Sequence, residues 1–195
     1  MSIVTLVSGG LDSSLVAKLA KEEGMRIFPL FVDYGQRAKE KEFTACKRMM
    51  SELGLPMPNV ADLAGYGSLI RSGLTDSNLD IVEDAFTPGR NMLFILVAAA
   101  YAFQKNADAI SIGLLHESTA LFPDQSSKFL RQAEEMISLC MGRKIKVLAP
   151  LAEFTKNDVI ELANRKGIRN TYSCHLGSET ACGKCIACKE FNLGG

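Results

Sequence analysis

The chain has 195 residues, of which 47% are hydrophobic and 23% are charged. This length suits one domain with at most a small appendage, and such a domain buries about 70% of its unfolded surface without needing crosslinks. Lysine plus arginine and aspartate plus glutamate number 22 each, so the net charge is zero. That balance argues against a protein built mainly to bind nucleic acid.

Neither the N-terminal segment nor the longest apolar segment predicts export or membrane insertion. The sequence MSIVTLVSGG lacks the basic and apolar regions of a signal peptide. The apolar run at 92–103 is shorter than the roughly 20 residues that cross a bilayer, and it predicts a helix buried on nearly all sides. Six cysteines without an export signal favour metal binding or catalysis over disulfides, so we expect a cytoplasmic protein.

The first half of the chain alternates short apolar strands with amphipathic helices. The predicted elements are a strand at 3–7, a helix ending near Lys21, a strand at 26–32 and a helix at about 38–53. Gly24 is the expected left-handed residue after the first helix. The apolar stripe of the second helix consists of Phe43, Cys46, Met50 and Leu53. Residues 56–86 are predicted to be irregular, with short pieces at 59–63 and 66–71.

The second half continues the same alternation. Its predicted elements are a helix near 90–104, a strand at 109–115, a helix at about 126–140, a strand at 144–150 and a last helix after Thr155. Thr155 and Asp158 resemble a capping box. Apolar strands alternating with helices predict an α/β protein with a doubly wound, Rossmann-like parallel sheet. The turn after the first strand then lies at the carboxyl edge of the sheet, where such sheets bind ligands.

That turn, SGGLDSS at residues 8–14, has the composition of an anion site. Gly9 and Gly10 let the backbone approach a ligand closely, and the helix that follows offers unpaired N–H groups. The serine hydroxyls add donors, so the turn suits a phosphate. Asp12 suits a Mg²⁺ ion that accompanies phosphates. The turn lacks the G-K-[ST] ending of a Walker A loop, and a simple serine-capped turn is the alternative interpretation.

The C-terminal segment carries four cysteines in the pattern C-x7-C-x2-C-x2-C, namely Cys174, Cys182, Cys185 and Cys188. Four thiolates complete a tetrahedral shell, which predicts a structural zinc ion. An iron–sulfur cluster also takes four cysteines, and reduced cysteines without a metal are the third alternative. His175 is not included among the predicted metal ligands, because it is adjacent to Cys174 and two adjacent residues rarely both reach one ion. Cys46 and Cys140 are predicted to be core residues.

The SGGLDS stretch resembles the signature of the PP-loop (N-type) ATP pyrophosphatases. Members of that family cleave ATP between the α- and β-phosphates and leave AMP on a substrate oxygen. The resemblance implies an adenine nucleotide alpha hydrolase-like fold and a cradle for the departing pyrophosphate. The implied nucleotide-binding residues are Val7, Ser8, Gly9, Gly10, Leu11, Asp12, Ser13, Ser14, Leu15, Val16 and Ala17.

The combination of this loop with the cysteine pattern resembles the 7-cyano-7-deazaguanine synthase family. Further similar segments are FVDYGQR at 31–37, TPGRN at 87–91, FTKNDVIELANRKGI at 154–168 and TYSC at 171–174. That family makes a nitrile from 7-carboxy-7-deazaguanine, ammonia and ATP, through an acyl adenylate and an amide, for queuosine-type tRNA bases. The resemblance implies a homodimer that uses ATP, Mg²⁺ and Zn²⁺. It also implies a PP-loop domain at 1–170 and a zinc-binding segment at 171–195.

Asp12, Arg90 and Lys156 are the candidate catalytic residues, the last two as cations for phosphate charge. An alternative role for Arg90 is to anchor the start of a helix. Lys156 could instead be a solvent-exposed residue in the first turn of a helix. Asp33, at the end of the second strand, is a candidate substrate contact or a turn cap.

The loop HESTALFPDQSSKF departs from the family pattern. Phe122 stands for a tyrosine, and Gln125 and Ser126 replace a Cys–Arg pair. Phe122 and Asp124 are candidate substrate contacts, with an N-cap for the next helix as the alternative role of Asp124. The departure leaves open a paralogue that acts on another small carboxylate or amide.

Two other functions remain open for the sequence. A tRNA-thiolating PP-loop enzyme would need a basic surface or an added RNA-binding domain, for which this chain leaves little room. A non-catalytic module that binds zinc and nucleotide would bind ATP without releasing AMP.

The chain shows no glutaminase triad, so free ammonia is the expected nitrogen source. The glycine-containing region 64–89 is the candidate for a loop that closes over the substrate.

Overall fold

The computed structural model describes residues 1–191 and contains a five-stranded, all-parallel sheet of order β3-β2-β1-β4-β5. The strands are β1 Ser2–Leu6, β2 Arg26–Asp33, β3 Asn59–Asp62, β4 Ala109–Ser111 and β5 Lys146–Leu148. The helices are α1 Leu11–Glu22, α2 Lys39–Glu52, α3 Ala64–Leu69, α4 Arg90–Gln104, α5 Ser127–Met141, α6 Lys156–Arg165 and α7 Ile186–Glu190. The predicted α/β fold with a parallel sheet is confirmed.

The sheet is covered on both faces because successive side chains of each buried strand point to opposite sides. Val4 and Leu6 of β1 pack with α4 and α5 on one face. Phe31 of β2 packs on the other face in a second cluster with α1, α2 and α6. The interior strand β2 therefore contributes apolar residues to two separate core layers, with Leu30 and Val32 on one face and Phe31 on the other, as in a doubly wound sheet.

The order of the strands reverses next to β1. The chain moves from β1 to β2 and β3 in one direction, and then returns to place β4 and β5 on the other side of β1. Loops from neighbouring strands diverge at such a point and leave a crevice at the carboxyl edge. The SGGLDSS turn lies directly at this crevice because it follows β1 without an intervening residue other than Val7.

Two helix ends carry the residues that the sequence predicts for them, a glycine after α1 and a capping box at the start of α6. Gly24 follows α1 in the left-handed region with φ of 66°. The Thr155 hydroxyl accepts a hydrogen bond from the Asp158 N–H at 3.4 Å, and the Asp158 carboxylate accepts one from the Thr155 N–H at 2.8 Å. The predicted capping box of α6 is therefore confirmed.

The short piece predicted at 59–63 is the edge strand β3, which spans Asn59–Asp62. Three other expectations about secondary structure and burial are wrong. Strands β4 and β5 are only three residues long each. Helix α4 is not buried on nearly all sides, because its apolar residues Leu96 and Phe103 are exposed where no other element covers them. Cys140 lies exposed on α5 rather than in the core.

The C-terminal segment packs on the sheet domain and includes the short helix α7, which the sequence did not predict. The Tyr172 N–H donates to the Gly9 carbonyl at 2.9 Å, so the segment contacts the SGGLDSS turn directly. Residues 192–195, the end of the predicted segment 171–195, lie outside the described residues, and the boundary at residue 170 stays a prediction. Within residues 1–191, no helix has the length and apolar character needed to cross a membrane.

Gly9→Ala should lower the free energy of unfolding by about 2–5 kcal/mol. Gly9 has φ of 82°, and an added Cβ would lie 2.5 Å from the Cys46 nitrogen and 2.6 Å from the Glu42 carbonyl oxygen, so backbone strain and overlap add. Gly24→Ala is the matched control, because φ is 66° there and nothing lies within 4 Å, which leaves a cost of about 1–2 kcal/mol. Urea unfolding of both variants measures the difference, and equal losses would contradict the close packing of Gly9.

Candidate functional site

A cavity at the carboxyl edge of the sheet brings most of the predicted site residues together. It has two adjoining compartments of about 260 Å³ and about 250 Å³. The inner compartment, next to the sheet, has apolar walls that include Leu30, Val32 and Phe94. The outer compartment lies between the loop at 119–125 and the C-terminal segment. Eight residues line both compartments, namely Ser8, Asp12, Ser13, Glu42, Arg90, Gly113, Leu114 and His175.

The SGGLDSS turn presents donors to this junction. The Ser8 N–H donates to the Ser13 hydroxyl at 3.1 Å, and the two hydroxyls lie 3.1 Å apart. Gly10 is the N-cap of α1 and has no side chain to accept from the first-turn N–H groups. An uncapped helix N-terminus beside clustered hydroxyls is suited to an anion. Ser14 does not contribute, because its buried hydroxyl donates to the Gly10 carbonyl at 2.7 Å.

The other predicted nucleotide-binding residues fall into two groups. Four of them also line one compartment or both, namely Val7, Gly10, Leu11 and Asp12. Leu15, Val16 and Ala17 are buried in the core beside α2 and α6 and do not line either compartment. Gly9 contacts the backbone of α2 instead of the cavity. The structure therefore restricts the ligand-facing part of the turn to its first half-dozen residues.

Lys156 is the first residue of α6 and its ammonium group lies among carboxylates. The Nζ atom donates to Asp12 Oδ1 at 2.9 Å and to Asp12 Oδ2 at 3.0 Å. It also lies 3.2 Å from Glu190 Oε2 and 4.4 Å from the centre of the Phe191 ring. Helix α7 therefore covers the ion pair from above, and the two predicted catalytic residues Asp12 and Lys156 are in direct contact.

Arg90 begins α4, directly after the left-handed Gly89, and its guanidinium group faces the junction. It donates to the Tyr34 hydroxyl at 3.4 Å and lies over the rings of Tyr34 and Phe94 at 5.7 Å and 5.9 Å. Among residues 1–191 no carboxylate oxygen lies within 4.0 Å of it. Arg90 is thus a cation held by aromatic rings and available to an anionic ligand.

The three predicted substrate contacts have different surroundings. Phe122 lines the outer compartment, where its ring lies 5.1 Å from that of Phe86. Asp33 lies outside both compartments, pairs with Lys39 at 2.8 Å and accepts from the Gly35 N–H, as a turn cap does. Asp124 also lies outside them.

The Asp124 carboxylate accepts from the Asn91 N–H at 3.4 Å, in the first turn of α4. The N-cap of α5, the alternative role for Asp124, is Ser126, whose hydroxyl accepts from the Phe129 N–H. Asp124 therefore connects the 119–125 loop to the start of α4.

Sequence reasoning missed several cavity residues, of which Glu42 and His175 are the most informative. Glu42 precedes Cys46 and Met50 at intervals of four on α2, so it is a charged residue within an apolar stripe, and that pattern was a usable signal. His175 lines both compartments, and its Nδ1 atom is buried without a hydrogen-bond partner. Burial, with Arg90 and Lys156 nearby, lowers the pKa of His175 to about 4, so the ring is neutral at pH 7.

The four cysteines of the C-terminal segment form one cluster, with all Sγ atoms within 4.8 Å of one another. The Cys182 sulfur accepts from the Cys185 N–H at 3.3 Å and from the Lys184 N–H at 3.5 Å. N–H groups directed at sulfur stabilise thiolates, and four sulfurs at this spacing fit a tetrahedral zinc shell. Cys174, Cys185 and Cys188 are buried beside Leu74 and Ile81, so the cluster also joins the segment to the 72–85 loop.

The electrostatics of the four cysteines fit a bound cation. Burial raises the pKa of the Cys188 thiol to about 12, and it also raises the pKa of Cys185. Burial opposes ionisation of Cys174 as well, but hydrogen bonds from Ser178 and from backbone N–H groups lower the pKa of Cys174 to about 6. Four thiolates would repel one another in this space without a metal ion to neutralise them.

Comparisons with known proteins show which family the chain resembles over almost its whole length. The family model described as "Queuosine biosynthesis protein QueC" matches residues 2–194. A protein of Campylobacter hominis named 7-cyano-7-deazaguanine synthase is 32% identical over 202 residues, which covers 97% of this chain and 92% of that protein. A protein of the same name from Nitratiruptor sp. is 34% identical over 203 residues, covering 97% and 91%.

The solved structure titled "U34-tRNA thiolase NcsA from Methanococcus maripaludis with its [4Fe-4S] cluster" is similar with a TM-score of 0.56. The match covers 89% of this chain and 61% of that chain at 17% identity. An identity this low supports a shared fold and nothing finer.

Cys185→Ser should lower both the metal content and the melting temperature. Cys185 is buried at the centre of the cluster, and loss of even about 3 kcal/mol lowers the melting temperature by about 6–12 °C at this chain length. Elemental analysis and calorimetry measure the two effects together. Cys140→Ser is the control, since this exposed cysteine lies outside the cluster and should change neither quantity. A melting temperature that is unchanged in Cys185→Ser would refute a structural metal.

Proposed function

The chain belongs to the family of queuosine biosynthesis protein QueC, and from that membership we propose that it is an ATP-dependent 7-cyano-7-deazaguanine synthase. In the proposed reaction, 7-carboxy-7-deazaguanine and ammonia become 7-cyano-7-deazaguanine, with release of AMP and pyrophosphate. The observation that carries the proposal is the shared cavity, where the SGGLDSS turn, two cations and the cysteine-containing segment converge at the switch point of the sheet.

The proposed first step is attack of a substrate carboxylate oxygen on the α-phosphate of ATP. The uncapped N-terminus of α1 and the hydroxyls of Ser8 and Ser13 are suited to the departing pyrophosphate. Arg90 and Lys156 neutralise the phosphate charge that develops at the junction. Asp12 is the carboxylate that would hold Mg²⁺, an ion that shields phosphate charge, and Lys156 is then free to contact a phosphate oxygen.

We assign ATP and the acceptor substrate to the two compartments according to the residues that line each compartment. The inner compartment is flanked by Tyr34 and Phe94 and has apolar walls, which suit the planar adenine ring. The outer compartment contains Phe122 and polar groups of the 119–125 loop and of the C-terminal segment, which suit the acceptor. The junction between them is where the α-phosphate and the acceptor carboxylate have to meet.

The altered loop raises the question of a second candidate, a related ligase that acts on another small carboxylate or amide. The Gln125 side chain accepts from the N–H groups of Leu121 and Phe122 at 2.8 Å and 2.9 Å. Ser126 caps α5. Both departures from the family pattern thus serve the local fold of the loop, which favours the synthase with a structural variation over a changed substrate.

The decisive experiment is incubation of the purified protein with Mg-ATP, ammonium and 7-carboxy-7-deazaguanine, with mass spectrometry of the products. Nitrile, AMP and pyrophosphate together support the proposal. ATP binding without AMP release would indicate a non-catalytic module instead. If the purified protein absorbs visible light and contains iron in place of zinc, the cysteines hold an iron–sulfur cluster, which would favour a tRNA-thiolating enzyme.

Asp12→Asn should reduce AMP formation by roughly 10²–10³-fold, because it removes the carboxylate proposed for Mg²⁺ and the partner of Lys156. The fold and the metal content should stay intact, since the Asp12 side chain is partly exposed to the cavity. Glu190→Gln is the matched control, because it alters the other carboxylate on Lys156 and should have a much smaller effect. AMP formation at the wild-type rate in Asp12→Asn would refute this role of the loop.

We also propose that the protein acts in the cytoplasm as a homodimer. Helices α4 and α5 pack against each other and expose four large apolar residues, Leu96, Phe103, Met136 and Leu139, at 39%, 50%, 52% and 77% exposure. Exposed large apolar residues on neighbouring helices suit an association surface, and a second copy is the proposed occupant here.

Leu139→Glu should therefore shift the protein toward monomer, because a charge would be buried without a partner in the pairing. Light scattering after size exclusion measures the mass in solution. Leu69→Glu changes an equally exposed leucine on α3 and should leave the mass unchanged. A wild-type protein that is monomeric at all concentrations would overturn the dimer.

A further inference from the structure

The proposed reaction needs a proton acceptor where the nitrogen attacks. Ammonia loses one proton when it displaces AMP from the acyl adenylate and forms the amide. The amide nitrogen loses its two remaining protons when the second ATP activates the amide oxygen and AMP leaves to give the nitrile. A positioned general base contributes to such transfers when it lies within reach of the nitrogen. This inference rests on the proposed function.

Four titratable side chains line both compartments and so face the junction: Asp12, Glu42, Arg90 and His175. Asp12 has both oxygens on the Lys156 ammonium group. The Arg90 guanidinium offers hydrogen-bond donors and no acceptor. His175 is the alternative acceptor, and the variant His175→Asn tests it below. Within residues 1–191, Glu42 is the carboxylate at the junction that no cation holds.

The geometry of Glu42 suits a base. Gln36 is fixed by two backbone contacts, with its Oε1 accepting from the Tyr34 N–H at 2.9 Å and its Nε2 donating to the Val32 carbonyl at 3.2 Å. The same Nε2 donates to Glu42 Oε2 at 3.0 Å and so holds the carboxylate in place. Glu42 Oε1 accepts no hydrogen bond from residues 1–191, and no cation lies within 4.0 Å of the carboxylate. One oxygen is thus left for a ligand.

The surroundings also strengthen the group as a proton acceptor. Burial raises the pKa of the Glu42 carboxyl, although the hydrogen bond from Gln36 and the charge of Arg90 act in the opposite direction. A carboxylate that is half-buried beside an anion cradle would be an electrostatic cost if its only role were structural. Its position between the two compartments is consistent with a role in proton transfer instead.

We propose that Glu42 is the general base that takes the protons from the attacking and departing nitrogen. In amidation the C–N bond forms, the C–O bond to AMP breaks, and the surplus proton of the nitrogen passes to Glu42. In nitrile formation the amide oxygen bonds to the α-phosphate and pyrophosphate leaves. The C–O bond then breaks, AMP leaves, and Glu42 takes the N–H protons in turn, releasing each to water between steps.

The test separates adenylation from amidation in Glu42→Gln, which keeps the hydrogen bond from Gln36. Exchange of labelled pyrophosphate into ATP, measured with 7-carboxy-7-deazaguanine and without ammonia, needs no nitrogen base and should stay within about threefold of wild type. The single-turnover rate of amide formation with ammonia should fall by roughly 10²–10⁴-fold. Glu40→Gln, on the same helix with 86% of its side chain exposed, should change neither rate.

A second variant separates a base from a structural role. In Glu42→Ala, added formate should restore part of the amidation rate and leave the exchange rate unchanged. Equal losses of exchange and amidation, an unchanged amidation rate in Glu42→Gln, or a selective loss in His175→Asn instead would each overturn the assignment. A wild-type protein without any exchange would overturn the proposed function and this inference with it, whereas normal wild-type exchange isolates a failure of Glu42 alone.

Discussion

The close approach of Gly9 to its neighbours is the constraint on which the site depends. Its missing side chain lets the backbone of α2 lie where a Cβ would be, 2.5 Å from the Cys46 nitrogen. Its carbonyl accepts the Tyr172 N–H at 2.9 Å. One residue therefore fixes the distances between the anion-binding turn, the helix that carries Glu42 and the segment that carries His175. No residue with a side chain can occupy this position without moving one of the three.

The cavity balances charges within a small volume. Lys156, Arg90 and the N-terminus of α1 make the junction attractive to phosphates, and Asp12 and Glu42 keep it from being purely cationic. The Asp12–Lys156 pair satisfies both groups while no phosphate is bound, because each would otherwise be partly buried without a partner. The surroundings of Arg90 differ from those of Lys156, because its guanidinium group lies against two aromatic rings and not against a carboxylate. An anion at the junction would have to compete with Asp12 for Lys156, whereas Arg90 has no carboxylate partner among residues 1–191.

The cysteine cluster is connected to the cavity through the chain. Cys174 immediately precedes His175, which lines both compartments. A metal ion held by the cluster would therefore also fix the backbone next to His175. The covering helix α7 follows Cys185, so the same cluster holds Glu190 and Phe191 over Lys156. Short stretches of chain therefore connect the cysteine cluster to the residues around Lys156.

Local features of the sequence determined the fold class, the SGGLDSS turn, the capping box at Thr155 and the four-cysteine cluster. Each of these rests on contacts between residues close in sequence, where propensity, periodicity and spacing act directly. The short lengths of β4 and β5 escaped prediction, because where a strand ends depends on its pairing with distant chain segments. The exposed face of α4 escaped it because a uniformly apolar helix does not reveal which side the other elements cover.

Tertiary structure alone decided which candidates share a cavity. Asp12 and Lys156 are 144 positions apart and meet as an ion pair, whereas Asp33 and Asp124 use their carboxylates to hold nearby backbone. Glu42 reaches the junction because α2 packs against Gly9, and His175 because the cysteine cluster folds its segment back onto the sheet. The sequence by itself determined which chemistry the chain carries. The assembly of that chemistry depends on long-range packing, since only packing brings residues from opposite ends of the chain within hydrogen-bond distance.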